Sequence, residues 1–328
     1  MAYHADELIY AGETYEDLAS FEAAYEGVDI SATDGVRARI RGATTDSGNV
    51  YFADWQAGQD ADCKIVITAE TGYGIQDRSS WTGGDGSGDN AIITQRIYVY
   101  DDSQPICMDI HNIEMSAAIP ATGDAANNIF RAWNCLIRDT GTHGISFSSV
   151  GTTTFFLANL LIRDWSTSSW QLGIYVNDSD VTAYIWNCTL YTGEWGIYEN
   201  AGSAEVRNCV AANTDQNAFQ SMSDEDYCAA DDASPGGANS TDNITVADNF
   251  TNAGADDFTV KDTGANIYHD GTDQPAWFDT LTSGNDIVGN AWHATTPSIG
   301  CFEYAAAEPG GLSIPVAMHH YTKNIGGG

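Results

Sequence analysis

The side chains that could do chemistry recur at fixed places in the chain. Asp139 and Asp164 each stand five residues after an asparagine, Asn134 and Asn159, and each directly follows an arginine, Arg138 and Arg163. If consecutive repeats stack, the two carboxylates lie about 5 Å apart, the separation of a retaining glycosidase pair. Glu194 falls in the corresponding stretch after Asn187, and His143 is close to Asp139 in sequence. The arginines could hold the carboxylate of an acidic sugar. A plainer reading stands beside this one: aspartate is a common turn residue, and each charge is offset by the arginine before it.

Aromatic residues recur in the same way. Trp133 and Trp186 share one position of the repeat, Phe156 and Tyr184 share another, and Trp165, Trp170 and Trp195 fall in the following loops. If they point outward they form either a sugar-stacking platform, because an aromatic face packs on a pyranose ring, or a subunit interface. Metal chemistry has weaker support. His319 and His320 are adjacent and would point opposite ways on a strand. The Asp231–Asp232 and Asp256–Asp257 pairs could offer oxygens to Ca²⁺, but they lack the spacing of a known calcium loop and read as solvated turns. No cofactor is expected.

The elements that position these residues follow from the repeat. Asn112, Asn134, Asn159, Asn187 and Asn208 stand 22, 25, 28 and 21 residues apart, a period typical of solenoids. Four positions keep step with them. One place after the asparagines stand Ile113, Cys135, Leu160, Cys188 and Cys209; three places after, Met115, Ile137, Ile162, Leu190 and Ala211. Two places before stand Ile110, Ala132, Leu157, Ile185 and Val206; four places before, Met108, Phe130, Phe155, Ala183 and Ala204. All are apolar, and the positions between them are mixed. Period two on both sides of the asparagine predicts a strand, a corner and a second strand. A Gly-Ile pair at Gly144, Gly173 and Gly196 then opens a third strand. Three short strands per turn make a parallel β-helix, all-β in class, and the cysteines become small buried hydrophobes of one inward ladder.

A solenoid needs caps. Residues 13–27 predict a short amphipathic helix, about 14–26, with a Thr-x-x-Asp start at Thr14 and a stop at Gly27. Residues 1–60 thus read as an N-terminal cap with the first strands, 61–304 as the β-helix, and 305–328 as a hinge and C-terminal tail. Residues 36–42, 50–55, 64–70 and 96–102 read as early strands, 79–90 as an excursion, and 243–250 as a degenerate turn. The tail carries Ile314, Pro315, Val316, Met318, His319, His320 and Tyr321, an apolar segment suited to docking.

Composition limits the partners. The chain has 328 residues, a formal net charge of −34 and only three lysines, Lys64, Lys261 and Lys323. Such a surface repels nucleic acid and suits a salt-rich medium. The opening "MAYHADELIY" has no basic start before an apolar core, so no secretory leader is expected. No apolar run approaches the length of a membrane span. Seven cysteines without a Cys-x-x-Cys disfavour a disulfide framework and a zinc site.

Asp257 and Phe258, followed by Ile299, Gly300, Glu303 and Tyr304, resemble the closing segment of right-handed β-helix proteins of bacteria and phages. With the helix and early strands, residues 10–304 resemble the pectate-lyase-like superfamily and its tailed-phage members. The short tail motif is similar to those of phage structural proteins. The resemblance implies a virion structural protein, either a surface decoration or a tailspike-like fibre located on the particle. Its partners would be sister chains, as a homotrimer, other virion proteins, and a host surface polysaccharide. The alternative it implies is a depolymerase of acidic envelope polysaccharide, since arginines bind sugar acids in uronate- and sialate-processing β-helices.

Overall fold

A computed structural model describes residues 3, 5–10, 13–26, 28, 35–42, 49–52, 64–77, 91–94, 96–99, 106–115, 119–123, 127–138, 140–165, 170–255 and 257–304. It is a parallel β-solenoid. The first face carries Ala5–Ile9, Gly35–Ile40, Lys64–Ala69 and Cys107–His111, joined successively in register. It continues through the leading half of Asn128–Arg138 and Thr153–Arg163, then the trailing half of Leu172–Trp186 and Trp195–Arg207, and ends at Asp224–Asp226. The second face follows the asparagines and runs from Ile92–Ile93 to Ala229–Ala230. The third face runs from Asn49–Phe52 to Phe219–Gln220.

All five asparagines turn the corner in the left-handed region, with φ between 52° and 57°. Asparagine tolerates that conformation better than most residues with a side chain. The side chains then pair along the axis: Asn159 Nδ2 donates to Asn134 Oδ1 at 3.0 Å, and Asn208 Nδ2 to Asn187 Oδ1 at 3.3 Å. The four apolar columns all lie within one continuous buried core. The Gly-Ile pair has a steric cause as well. A Cβ on Gly144 would stand 2.6 Å from the Gly173 carbonyl oxygen, and one on Gly196 would stand 2.1 Å from that of Ala218. Each rung starts its third strand against the carbonyl of the next, which leaves no room for a side chain.

Helix α1 (Leu18–Tyr25) buries Leu18 and Phe21 over the first rung. Its start is one turn later than the sequence suggested: Asp17, not Thr14, is the N-cap, accepting from Ser20 N at 2.7 Å. Gly27 and the excursion at 79–90 lie outside the described residues. At the far end Glu225 occupies the core column of Val206 and accepts from the Gly236 and Gly237 amides and from Ser240 Oγ. A carboxylate satisfied in this way closes an apolar column with a polar group.

The last solenoid strand ends at Ala230. The expected degenerate turn is only partial: Thr241 bridges Ala229 in parallel and the Ile244 amide donates to the Ala230 carbonyl, after which residues 246–250 leave the stack. They hold a short helix, α2 (Val246–Asn249), leading into Phe250–Asn252, which pairs antiparallel with Asp257–Val260. Helix α3 (Ala276–Thr282) follows, and the segment at 298–304 is irregular rather than a strand. This C-terminal segment folds back along the asparagine corner. Asn159 Nδ2 donates to the Asn285 carbonyl at 2.7 Å, and Asn208 donates to the Thr272 carbonyl and accepts from the Thr272 amide, both at 2.8 Å. The Cys301 amide donates to Thr189 Oγ1 at 3.0 Å. Leu136, Leu161 and Val210, on the outer side of the second face, are buried in a second core with Phe258, Ile287 and Ile299.

Candidate functional site

The residues singled out as catalytic separate into two groups. Asp139 lies outside the described residues, so the acid pair has no measured spacing. Asp164 turns a second corner of the solenoid, with φ 51°, and its carboxylate meets Arg163 Nη1 at 3.0 Å. Thr192 and Asn213 also have positive φ, and Asn213 Nδ2 donates to Thr192 Oγ1 at 2.8 Å. The Arg163–Tyr191 and Tyr191–Ala212 pairings stack these three corners. The position of Asp164 is thus that of a turn residue with its charge offset by its neighbour. Arg138 is held by Glu114, whose side chain is 1% exposed, and Arg163 is itself nearly buried. Both arginines are engaged in the wall of the solenoid.

His143 and Glu194 do come together, on one stretch of backbone. His143 Nδ1 accepts from the Leu172 amide at 3.0 Å, which leaves the ring proton on Nε2. Burial holds this imidazole below its ordinary pKa, so it is neutral at physiological pH. The Glu194 carboxylate accepts from the Gln171 amide at 2.8 Å. Three successive rungs therefore converge around Trp170, which is 66% exposed.

The outward aromatics of the first face have a different setting. Trp186 is 6% exposed and donates Nε1 to Glu205, while α3 lays Trp277 and Phe278 over this face. Trp277 stands 5.0 Å from Phe156 and 6.2 Å from Tyr184, ring centre to ring centre. Between Trp133 and Trp186 the column holds Ala158, fully buried in the same cluster as Phe278 and Trp292. The expected interface at Trp133, Trp186, Phe156 and Tyr184 is in this respect internal: they receive the chain's own C-terminal segment. The docking-tail residues Ile314 to Tyr321 lie outside the described residues.

The third face presents aromatics instead. Tyr175 and Tyr198 stack at 5.6 Å, His143 lies 5.5 Å from Tyr175, and Trp195 lies 6.1 Å from Tyr198 and 6.3 Å from Trp170. Asn200 Nδ2 donates to Asn177 Oδ1 beside them. The sequence carried a signal for this strip, because "GIYV" and "GIYE" place the two tyrosines at the same step after the stacked glycines. Among the described residues only Tyr10, Tyr51 and Trp170 are exposed large hydrophobics, and two of them belong to this face or its edge.

The acidic pairs and the cysteines have structural settings. Among the described residues no group of three His, Cys, Asp or Glu side chains is placed to hold an ion. Asp231 and Asp232 spend oxygens on the Asn213 and Ala218 amides. Cys135, Cys188, Cys209 and Cys228 are buried in the core, and burial pushes the Cys135 thiol up to about 12. No helix among the described residues is long and apolar enough to cross a membrane.

Fold and face together define a parallel β-solenoid whose first two faces are clasped by its own C-terminal segment and whose third carries an aromatic strip. Comparison with protein-family models and with curated proteins found no match.

Proposed function

We propose that this chain is a rigid structural protein of a tailed-virus particle, a decoration or tailspike-like fibre of pectate-lyase-like type, that contacts host glycan through its third face. The observation that carries the glycan contact is the exposed ring of Trp170, backed by the half-buried Trp195, Tyr198 and Tyr175 beside His143. Aromatic faces of this kind stack on the apolar face of a sugar ring, and their hydroxyl and ring N–H groups reach its polar rim. The resemblance of the chain's ends to phage β-helix proteins supports the virion assignment, as does a net charge of −34 on a body that must stay dispersed in saline water. Anchoring falls to residues 305–328, and assembly with sister chains as a trimer follows the same resemblance.

The test is glycan-array binding of the wild type and of a Trp170→Ala/Tyr198→Ala variant. Binding by the first, lost in the second at unchanged thermal stability, is the expected result. Binding that survives the double substitution would move the contact elsewhere. A second reading, depolymerase, draws on the convergence of His143 and Glu194 beside Trp170. It predicts reducing-end release that disappears in Glu194→Gln, and this assay separates it from binding alone.

A further inference from the structure

The exposed tryptophan has a charged neighbour. Trp170 is 66% exposed and holds a left-handed backbone, φ 64°, a conformation that costs a bulky residue energy. Its indole lies beside that of Trp195, ring centres 6.3 Å apart and planes 15° from parallel. The half-buried Glu194 carboxylate is pinned at the same corner. Its Oε2 accepts from the amide of Gln171, the residue after Trp170, at 2.8 Å. The Trp195 amide donates to the Gln171 carbonyl at 3.3 Å, which locks the two rungs together. Other carboxylates of the wall are neutralised or saturated. Glu114 meets Arg138, Asp109 meets Arg131, Asp164 meets Arg163, and Glu199 accepts from both the amide and the hydroxyl of Ser223. Glu194 has its one amide and, among the described residues, no ion pair. Arg96 is held by Thr142 Oγ1, two rungs away.

We propose that Trp170 and Glu194 form a seat for an amino sugar with a free ammonium group, the ring on the indole and the ammonium on Glu194. The inference rests on the glycan reading above and names its ligand class. An ammonium donates charge-assisted hydrogen bonds to a carboxylate oxygen, and Glu194 Oε1 is the one left to accept them. The same cation is attracted to the face of an indole. A net charge of −34 draws cations to the surface and opposes an acidic sugar. N-acetylation removes the charge and the ammonium donors together. The ligand class therefore differs from the acidic polysaccharide that Arg138 and Arg163 suggested, and both arginines are engaged in the solenoid wall.

The experiment is calorimetric titration of the full chain, at mildly acidic pH, with the β-1,4-linked tetrasaccharides of glucosamine, N-acetylglucosamine and glucose. The free-amine oligomer should bind about tenfold tighter than the other two. Glu194→Gln should remove that preference and leave the acetylated oligomer unchanged. Trp170→Ala should weaken all three. Asp215 is exposed one rung on, and its amide donates to the Gly193 carbonyl. Asp215→Asn removes the same charge outside the seat and should change little. An equal loss in Asp215→Asn would show diffuse attraction by the net charge and overturn the seat. Equal binding of the three oligomers overturns the amine class and leaves the glycan contact standing. Binding of none overturns the amine class alone if the array still reports a Trp170-dependent glycan, and both readings if the array is silent.

Discussion

At the scale of single residues, the corners and the glycine starts carry the solenoid, and each makes a distinct prediction. Gly173→Ala would bring a Cβ to 2.5 Å from Leu190 Cδ2 and 3.0 Å from the Gly196 carbonyl, whereas Gly254 has open space. Urea unfolding should show a loss of about 1–3 kcal/mol for Gly173→Ala and little change for Gly254→Ala. Equal effects would contradict the stacked-glycine account. Asn208→Ala removes three hydrogen bonds, to Asn187 and to both backbone groups of Thr272, at a fully buried corner. Its loss should be about 2–3 kcal/mol and larger than that of Asn187→Ala, whose own Nδ2 has no partner. Asp286, buried within the C-terminal segment, has its pKa pushed up to about 6 by desolvation. A raised carboxylate favours folding below its unfolded value near 3.8, and that contribution is lost as pH rises through 6. The stability of Asp286→Asn relative to wild type should therefore improve as pH rises from 4 to 7. A pH-independent difference between the two proteins would refute this role.

At the scale of elements, helix α3 and the corner contacts explain which parts were legible in sequence. The asparagines, the four inward columns and the Gly-Ile starts were readable because each rung repeats the same local problem: turn a corner, fill a core, pass a carbonyl. The C-terminal segment repeats nothing. Its strand pair, α3 and the 298–304 segment are fixed by surfaces distant in sequence, so no local pattern announces them. A trace was present all the same. Leu136, Leu161 and Val210 stand in the column read as outward, and three apolar residues in one outward column ask for a cover. Ala158 is the corresponding clue on the first face, a small residue between Trp133 and Trp186 that leaves room for Phe278. Ala158→Leu should overfill that cluster and cost about 1–3 kcal/mol, read as a lower melting temperature, while Ala158→Gly should not displace α3. Of the candidate site, His143 and Glu194 were legible by spacing. Of the aromatic strip, Tyr175 and Tyr198 were legible through their shared Gly-Ile-Tyr, whereas the exposure of Trp170 was not, because the loop that carries it repeats no pattern.

At the scale of the whole molecule, the solenoid is an acidic rod with two clasped faces and one that presents aromatics. Its self-repulsion falls as salt shortens the Debye length to about 8 Å at physiological strength, so the melting temperature should rise between low salt and that point. A flat or falling curve would show that the net charge of −34 is locally compensated. The central claim is that the third face is the one that works. It is tested most directly by a crystal structure of the full chain with the glycan that the array selects. A sugar ring stacked on Trp170, beside Trp195 and Tyr198, is the predicted result. Sugar seated instead at the Arg163–Asp164 corner, or against Trp133 after displacement of α3, would contradict it.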